Sequence, residues 1–176
     1  MRLVVPVDTM AVAAKAWSRM QGNPDFMKQA IELATENVTS GRGGPFGAVI
    51  VRDGQVIATG VNQVTAVNDP TAHAEVVAIR NACRELKGFS LQGCVIYTSC
   101  EPCPMCLAAI YWARMERVYY SGTAADAASA GFDDAFLYAE MKKSIGERTV
   151  PEEQMLAERG NESFDAWRRF TPRVEY

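Results

Sequence analysis

The sequence predicts an α/β layered domain built on a mixed sheet, and three observations predict it. Runs of β-rich apolar residues alternate along the chain with segments whose apolar residues recur at helical spacing, the pattern of a sheet reached by helical crossovers. Asp53-Gly54 joins two such β-runs directly, so one strand pair is an antiparallel hairpin. The chain has 176 residues, 48% of them hydrophobic and 22% charged, the size and balance of one globular domain. A chain of this length buries roughly 70% of its unfolded surface, so its core needs neither disulfides nor a structural metal. Any metal it binds is then free to serve chemistry.

Residues 1 to 22 match no repeat and carry no clear period; they are read as an N-terminal extension, and residues 23 to 176 as the domain. Asn23-Pro24 reads as an N-cap followed by proline at the first helical position, with Met27, Ile31, Ala34 and Val38 at helical spacing. Gly41 to Gly44 end that helix. Phe46 to Val51 and Val56 to Val61 are the two hairpin strands. Asp69-Pro70-Thr71 signals a second helix whose apolar face carries Val76, Ile79, Cys83 and Leu86. Val95 to Thr98 is a short buried strand, Pro104 opens a third helix that runs to about Arg114, and Arg117 to Ser121 is another β-run. Further on, Ala124 to Ala130 and Phe136 to Lys143 read as helices separated by the loop Gly131-Phe132-Asp133-Asp134. Arg148-Thr149-Val150 is expected to be a last edge strand cut short by Pro151, and Ser163 to cap a final helix with Phe164, Trp167 and Phe170.

Charge and cysteine content narrow the chemistry. A formal charge of −3, from 18 Lys and Arg against 21 Asp and Glu, has the wrong sign for a protein that neutralises many backbone phosphates. No nucleic-acid partner is expected. Leu3 to Val7 and Ala11 to Ala14 are broken by Pro6, Asp8 and Lys15, so they form neither an export signal nor a membrane span. A cytoplasmic location is expected, where the five cysteines stay reduced and bind metal or lie buried.

Two segments carry the chemistry, Thr71-Ala72-His73-Ala74-Glu75 and Glu101-Pro102-Cys103-Pro104-Met105-Cys106. His73 is the only histidine in the chain, so no other imidazole competes for its role. Both segments open helices that follow β-runs, and the crevice beyond strand ends is where open α/β sheets bind ligands. Zn²⁺ held by His73, Cys103 and Cys106 would keep a fourth position for water, the catalytic rather than the structural arrangement. Helix N-termini favour the thiolates that such a site requires. Glu75 is then placed to shuttle protons rather than to bind the metal. Taken singly, His-x-Glu is a common chance pair, and Cys-x-x-Cys reads equally as metal site, redox pair or buried thiols. Joined in this order, they match the signature of the zinc nucleobase deaminases.

Cys100 with Cys103 and Cys106 also begins an iron–sulfur run, but that run needs cysteine and proline at the positions of Ile110 and Tyr111. Cys100, like Cys83 and Cys94, is read as a small buried hydrophobe. A redox pair would leave His73-Ala74-Glu75 without a purpose.

On these motifs the sequence resembles the bacterial guanine deaminases of the cytidine deaminase fold, with plant guanosine deaminases as close relatives. The resemblance runs from about residue 25 to the C-terminus and includes Gly43 to Val51, Asn68 to Glu75, Cys100 to Cys106, Ala109 to Arg114, Gly131 to Asp134 and the final Glu175-Tyr176. It implies a three-layer fold with helices on both faces of a mixed central sheet, zinc on His73, Cys103 and Cys106, and Glu75 as proton shuttle. It also implies purine contacts from Asn62, Asp134 and Tyr176, with Phe46 and Trp112 packing against the base. A further implication is a domain-swapped homodimer whose C-terminal segment closes the partner's site.

By their residue types alone, Asn62 is equally a turn asparagine, Asp134 a helix cap, Phe46 and Trp112 core residues, and Tyr176 a frayed terminus. The leading expectation is hydrolytic deamination of guanine to xanthine and ammonia. Guanosine deamination shares every motif, and tRNA adenosine deamination shares the ligand core but fits the acidic balance poorly. A zinc-stabilised interaction domain would need a fourth protein ligand, and with no second histidine it would have to recruit Cys100 or a carboxylate.

Overall fold

The computed structural model describes residues 21–175. Helix α1 (Pro24–Thr39) starts where Asn23 accepts the Asp25 N–H at 2.9 Å. The hairpin β1 (Gly47–Arg52) and β2 (Gln55–Val61) follows, then a single turn α2 (Val64–Val67) and helix α3 (Ala74–Glu85). Strand β3 (Cys94–Cys100), helix α4 (Pro104–Trp112) and strand β4 (Arg117–Gly122) complete the sheet. Helices α5 (Ala124–Ser129), α6 (Asp134–Lys142) and α7 (Glu162–Arg169) end the described chain, with 3₁₀ turns at Ile145–Glu147 and Ala157–Arg159.

The strand order is β2-β1-β3-β4. Strand β1 is antiparallel to both β2 and β3, whereas β3 and β4 run parallel, an arrangement that requires the α4 crossover between them. Successive residues of a strand face opposite sides, and the two faces are covered separately. Ala48, Ile50 and Ile96 pack with Ala74, Ala78, Ala82 and Ile110 of α3 and α4; Val49, Val51 and Tyr97 pack with Ala30 of α1. The result is the expected mixed sheet between helices, three layers deep.

Two glycines let the helices lie directly on the strands. A Cβ at Gly47 would fall 2.4 Å from the Ala30 carbonyl oxygen, and one at Gly60 would fall 2.2 Å from that of Ala74. The second contact is the one that matters for the site, because it brings the start of α3 against the last residues of β2. Helix α3 accordingly turns its alanines to the sheet, while Ile79, Cys83 and Leu86 flank the core and Val76 borders a surface groove.

Several expected boundaries move. Asp69 accepts both the N–H and the hydroxyl of Thr71, at 2.8 and 2.7 Å, so Asp69-Pro70-Thr71 forms a turn and α3 begins only after His73. Helix α6 takes in Asp134. The final helix is preceded by Asn161, not capped by Ser163. Arg148-Thr149-Val150 is no strand: the Thr149 N–H is spent on the Glu140 carboxylate at 2.8 Å, and Pro151 has none to offer a ladder. The N-terminal extension lies, up to residue 20, outside the described residues.

Candidate active site

The end of β2 and the starts of α3 and α4 meet at one end of the sheet's strands. His73 occupies the position before α3, and Cys103 the position before α4, whose first residue is Pro104. Cys106 therefore falls in the first turn of α4. The approach to Cys103 is held on three sides. The Glu101 N–H donates to Gly122 O at 2.8 Å, the Glu101 carboxylate accepts the Ala124 N–H at 3.0 Å, and the Tyr138 hydroxyl donates to Pro102 O at 2.7 Å.

His73 Nδ1 lies 3.6 Å from Cys103 Sγ and 3.5 Å from Cys106 Sγ, and the three atoms all lie within 4.8 Å of one another. Tetrahedral zinc with bonds of about 2.0–2.3 Å to nitrogen and sulfur spaces its ligands by roughly 3.5–3.8 Å. The donor set thus fits zinc. Hydrogen bonding from Cys106, and then from His73, lowers the Cys103 thiol to about 4. The same bond to Cys103, together with burial, pushes Cys106 up. A divalent cation bound here requires both sulfurs as thiolates and so displaces their protons.

Glu75, in the first turn of α3, is only 6% exposed, and its Oε2 accepts from Cys106 Sγ at 3.4 Å. Burial raises its carboxyl above the ordinary range. In front of His73, Glu75 and Cys103 opens a cavity of about 250 Å³, lined also by Phe46, Asn62, Glu101, Phe132 and Asp134. That lies just below the roughly 300–1,000 Å³ of drug-sized pockets and matches one small heterocycle.

Asn62 is both a turn asparagine and a residue of the cavity wall. Its Oδ1 accepts the Val64 N–H at 3.3 Å, as a turn asparagine would, and the residue still lines the cavity. Asp134 is half-buried in the first turn of α6 rather than capping it; burial, then the negative charge of Cys103, raises its carboxyl. Phe46 reaches the cavity and meets Phe132 edge-on, with ring centroids 4.8 Å apart.

Trp112 is not brought to this cavity. It ends α4, and nine residues at 1.5 Å each carry it about 13 Å along the helix from Cys103. There it is 64% exposed, beside Phe164 and Trp167. Tyr176 lies outside the described residues. Cys100 stands apart from the ligand group, donating to Thr123 O at 3.4 Å with its thiol pushed up to about 11, mainly by burial. Phe132 and Glu101 are cavity residues that sequence reasoning did not assign. A lone loop aromatic has no periodicity to mark it, and its nearness to Phe46 is visible only after folding.

A sheet covered on both faces, with one imidazole and two thiols converging on a buried carboxylate, defines a zinc-type deaminase. The chain belongs to the family of the cytidine and deoxycytidylate deaminase zinc-binding region, which matches residues 20–122. It is similar to the guanine deaminase of Bacillus subtilis (strain 168), 56% identical over 151 residues that make up 86% of this chain and 97% of that protein. The X-ray structure of guanine deaminase from Bacillus subtilis superposes with a TM-score of 0.85 at 54% identity, covering 89% of this chain and 99% of that one. The tRNA-specific adenosine deaminase of Aquifex aeolicus (strain VF5) is 42% identical over 100 residues, 57% of this chain and 66% of that protein. Among the described residues no helix is long and apolar enough to cross a membrane.

Proposed function

We propose that this protein is a zinc-dependent guanine aminohydrolase that converts guanine and water to xanthine and ammonia. One observation carries the reading: His73, Cys103 and the buried Glu75 line a single cavity, sized for a heterocycle, with an amide and a carboxylate on its wall and the Cys106 sulfur 3.5 Å behind His73 Nδ1. The near full-length similarity to a guanine deaminase supports the choice of base.

Zinc held by His73, Cys103 and Cys106 would supply the Lewis acidity that makes water a nucleophile near neutral pH. Glu75 takes a proton from the attacking water and delivers it to N3 as the water oxygen adds to C2. It then carries the second proton to the amine as the C2–N bond breaks. A carboxyl raised by burial suits both halves of this exchange. Asn62 and Asp134 hydrogen-bond the polar edge of the base, and Phe46 with Phe132 walls its face.

The protein acts as a cytoplasmic, domain-swapped homodimer in which Trp112 and Tyr176 complete a site, residues 23 to 176 form the deaminase domain, and residues 1 to 22 are an extension. Plant guanosine deaminases are read as close relatives. The exposed apolar side chains of Trp112, Phe164 and Trp167 favour such a pairing, since a lone chain gains nothing by leaving them in water.

Ammonia release measured in parallel on guanine, guanosine, cytosine, adenosine and an RNA stem-loop tests the function. Guanine should be the best substrate and its turnover should respond weakly to salt, because a chain of charge −3 gains little from counterion release. Preferred, steeply salt-dependent deamination of the stem-loop would overturn it.

Removing Val174-Glu175-Tyr176 should leave folding, dimerisation and zinc content nearly intact while strongly reducing guanine turnover. A terminus buries little core, whereas a ring and carboxylate closing a site exclude water from the reaction. A truncated protein as active as the parent would return Tyr176 to the status of a loose end.

A further inference from the structure

Asn37, in the last turn of α1, is fully buried at 0% exposure and belongs to no catalytic constellation. Its Nδ2 donates to Gly44 O and to Asn62 O, both at 2.9 Å. Its Oδ1 has no partner among the described residues. An unpaired buried acceptor is unfavourable, and leucine would fill the same space without one. The side chain is therefore justified by its two donors and by what they hold.

Both carbonyls belong to residues on the wall of the cavity. The same two residues are tied to Phe46, whose N–H donates to Gly44 O at 2.9 Å and whose carbonyl accepts the Asn62 N–H at 3.0 Å. Gly43 allows the bridge to close: a Cβ there would fall 2.3 Å from Asn62 O and 2.9 Å from Asn37 Nδ2. Asn62 is thus gripped at its backbone from behind, while its Oδ1 is taken by the Val64 N–H. That leaves the Asn62 NH₂ group as the donor available to a ligand.

We infer that Asn37 is a positioning residue: through its bridge to the Gly44 and Asn62 carbonyls it sets where the Asn62 amide meets the purine edge. The inference rests on the proposed deaminase reading and on Asn62 as a base contact. A side chain that acts through another loses its effect when the other is removed, and this separates positioning from a general structural role.

The test is a double-mutant cycle on the zinc-loaded protein, with kcat/KM on guanine, zinc content and melting temperature measured for each variant. Asn37→Ala should lower kcat/KM by about tenfold or more in the parent, yet by less than about twofold in the Asn62→Ala background, with zinc retained in both. Gly43→Ala pushes on the same bridge from the loop side and leaves α1 filled. It should behave in the same way, and it keeps the idea testable if Asn37→Ala fails to fold. Equal losses in the two backgrounds, or no loss from either substitution, would overturn the positioning role while leaving the deaminase reading untouched. If Asn62→Ala itself loses nothing, the base contact and the positioning role fall together. A parent that releases no ammonia from guanine overturns the functional reading and this inference with it.

Discussion

Replacing Cys103 or Cys106 by Ala is expected to lower zinc content and abolish turnover together. The three ligand atoms are within 4.8 Å of one another, and each substitution leaves only two donors where a tetrahedral site needs three and a reactive position. The proteins should nevertheless remain folded. The site lies beyond the strand ends, and the core consists of packed aliphatic residues such as Ile50, Leu91 and Ile96, each 0% exposed. Structural zinc in small domains contributes folding free energy of about 10–16 kcal/mol and its removal unfolds them; here the loss should appear in metal analysis and activity, with the thermal transition still cooperative. Full zinc retention in both single variants would remove these cysteines from the ligand set.

Glu75→Gln should give the opposite combination, with zinc kept and catalysis lost. Glutamine has the same shape and the position is only 6% exposed, so the packing is preserved. An amide cannot carry protons between water, N3 and the leaving amine, and the loss should reach at least the roughly 10²–10⁴-fold that general acid–base catalysis supplies. Paired measurements of zinc content and guanine turnover check this directly. Metal loss in this variant would mean that the carboxylate is a ligand.

These two residue sets are legible in the sequence because their chemistry is written in short spacings. His73 and Glu75 are two residues apart and Cys103 and Cys106 three, so each pair shares one helix start wherever that helix packs. The hairpin at Asp53-Gly54 and the Asn23-Pro24 helix start are local in the same sense, and both are found. Asn62 and Asp134 are reached only by resemblance, since neither has a neighbour in sequence that declares its role. What the tertiary structure decided is the meeting of distant segments. Helix α3 lies on β2 because Gly60 has no side chain, and this sets His73 beside a cavity whose walls come from residues 44 to 134. The same packing brings Phe132 to Phe46 and Asn37 to a carbonyl 25 residues away, while the length of α4 carries Trp112 out of reach. It also denied Arg148-Thr149-Val150 a strand, by giving the Thr149 N–H to Glu140. Capping, turn formation and ligand spacing act over a few residues and are decided by identity alone. Contacts across the sheet depend on which helix covers which face and how closely, and that is settled only when the whole chain minimises its exposed apolar surface and satisfies its buried polar groups together.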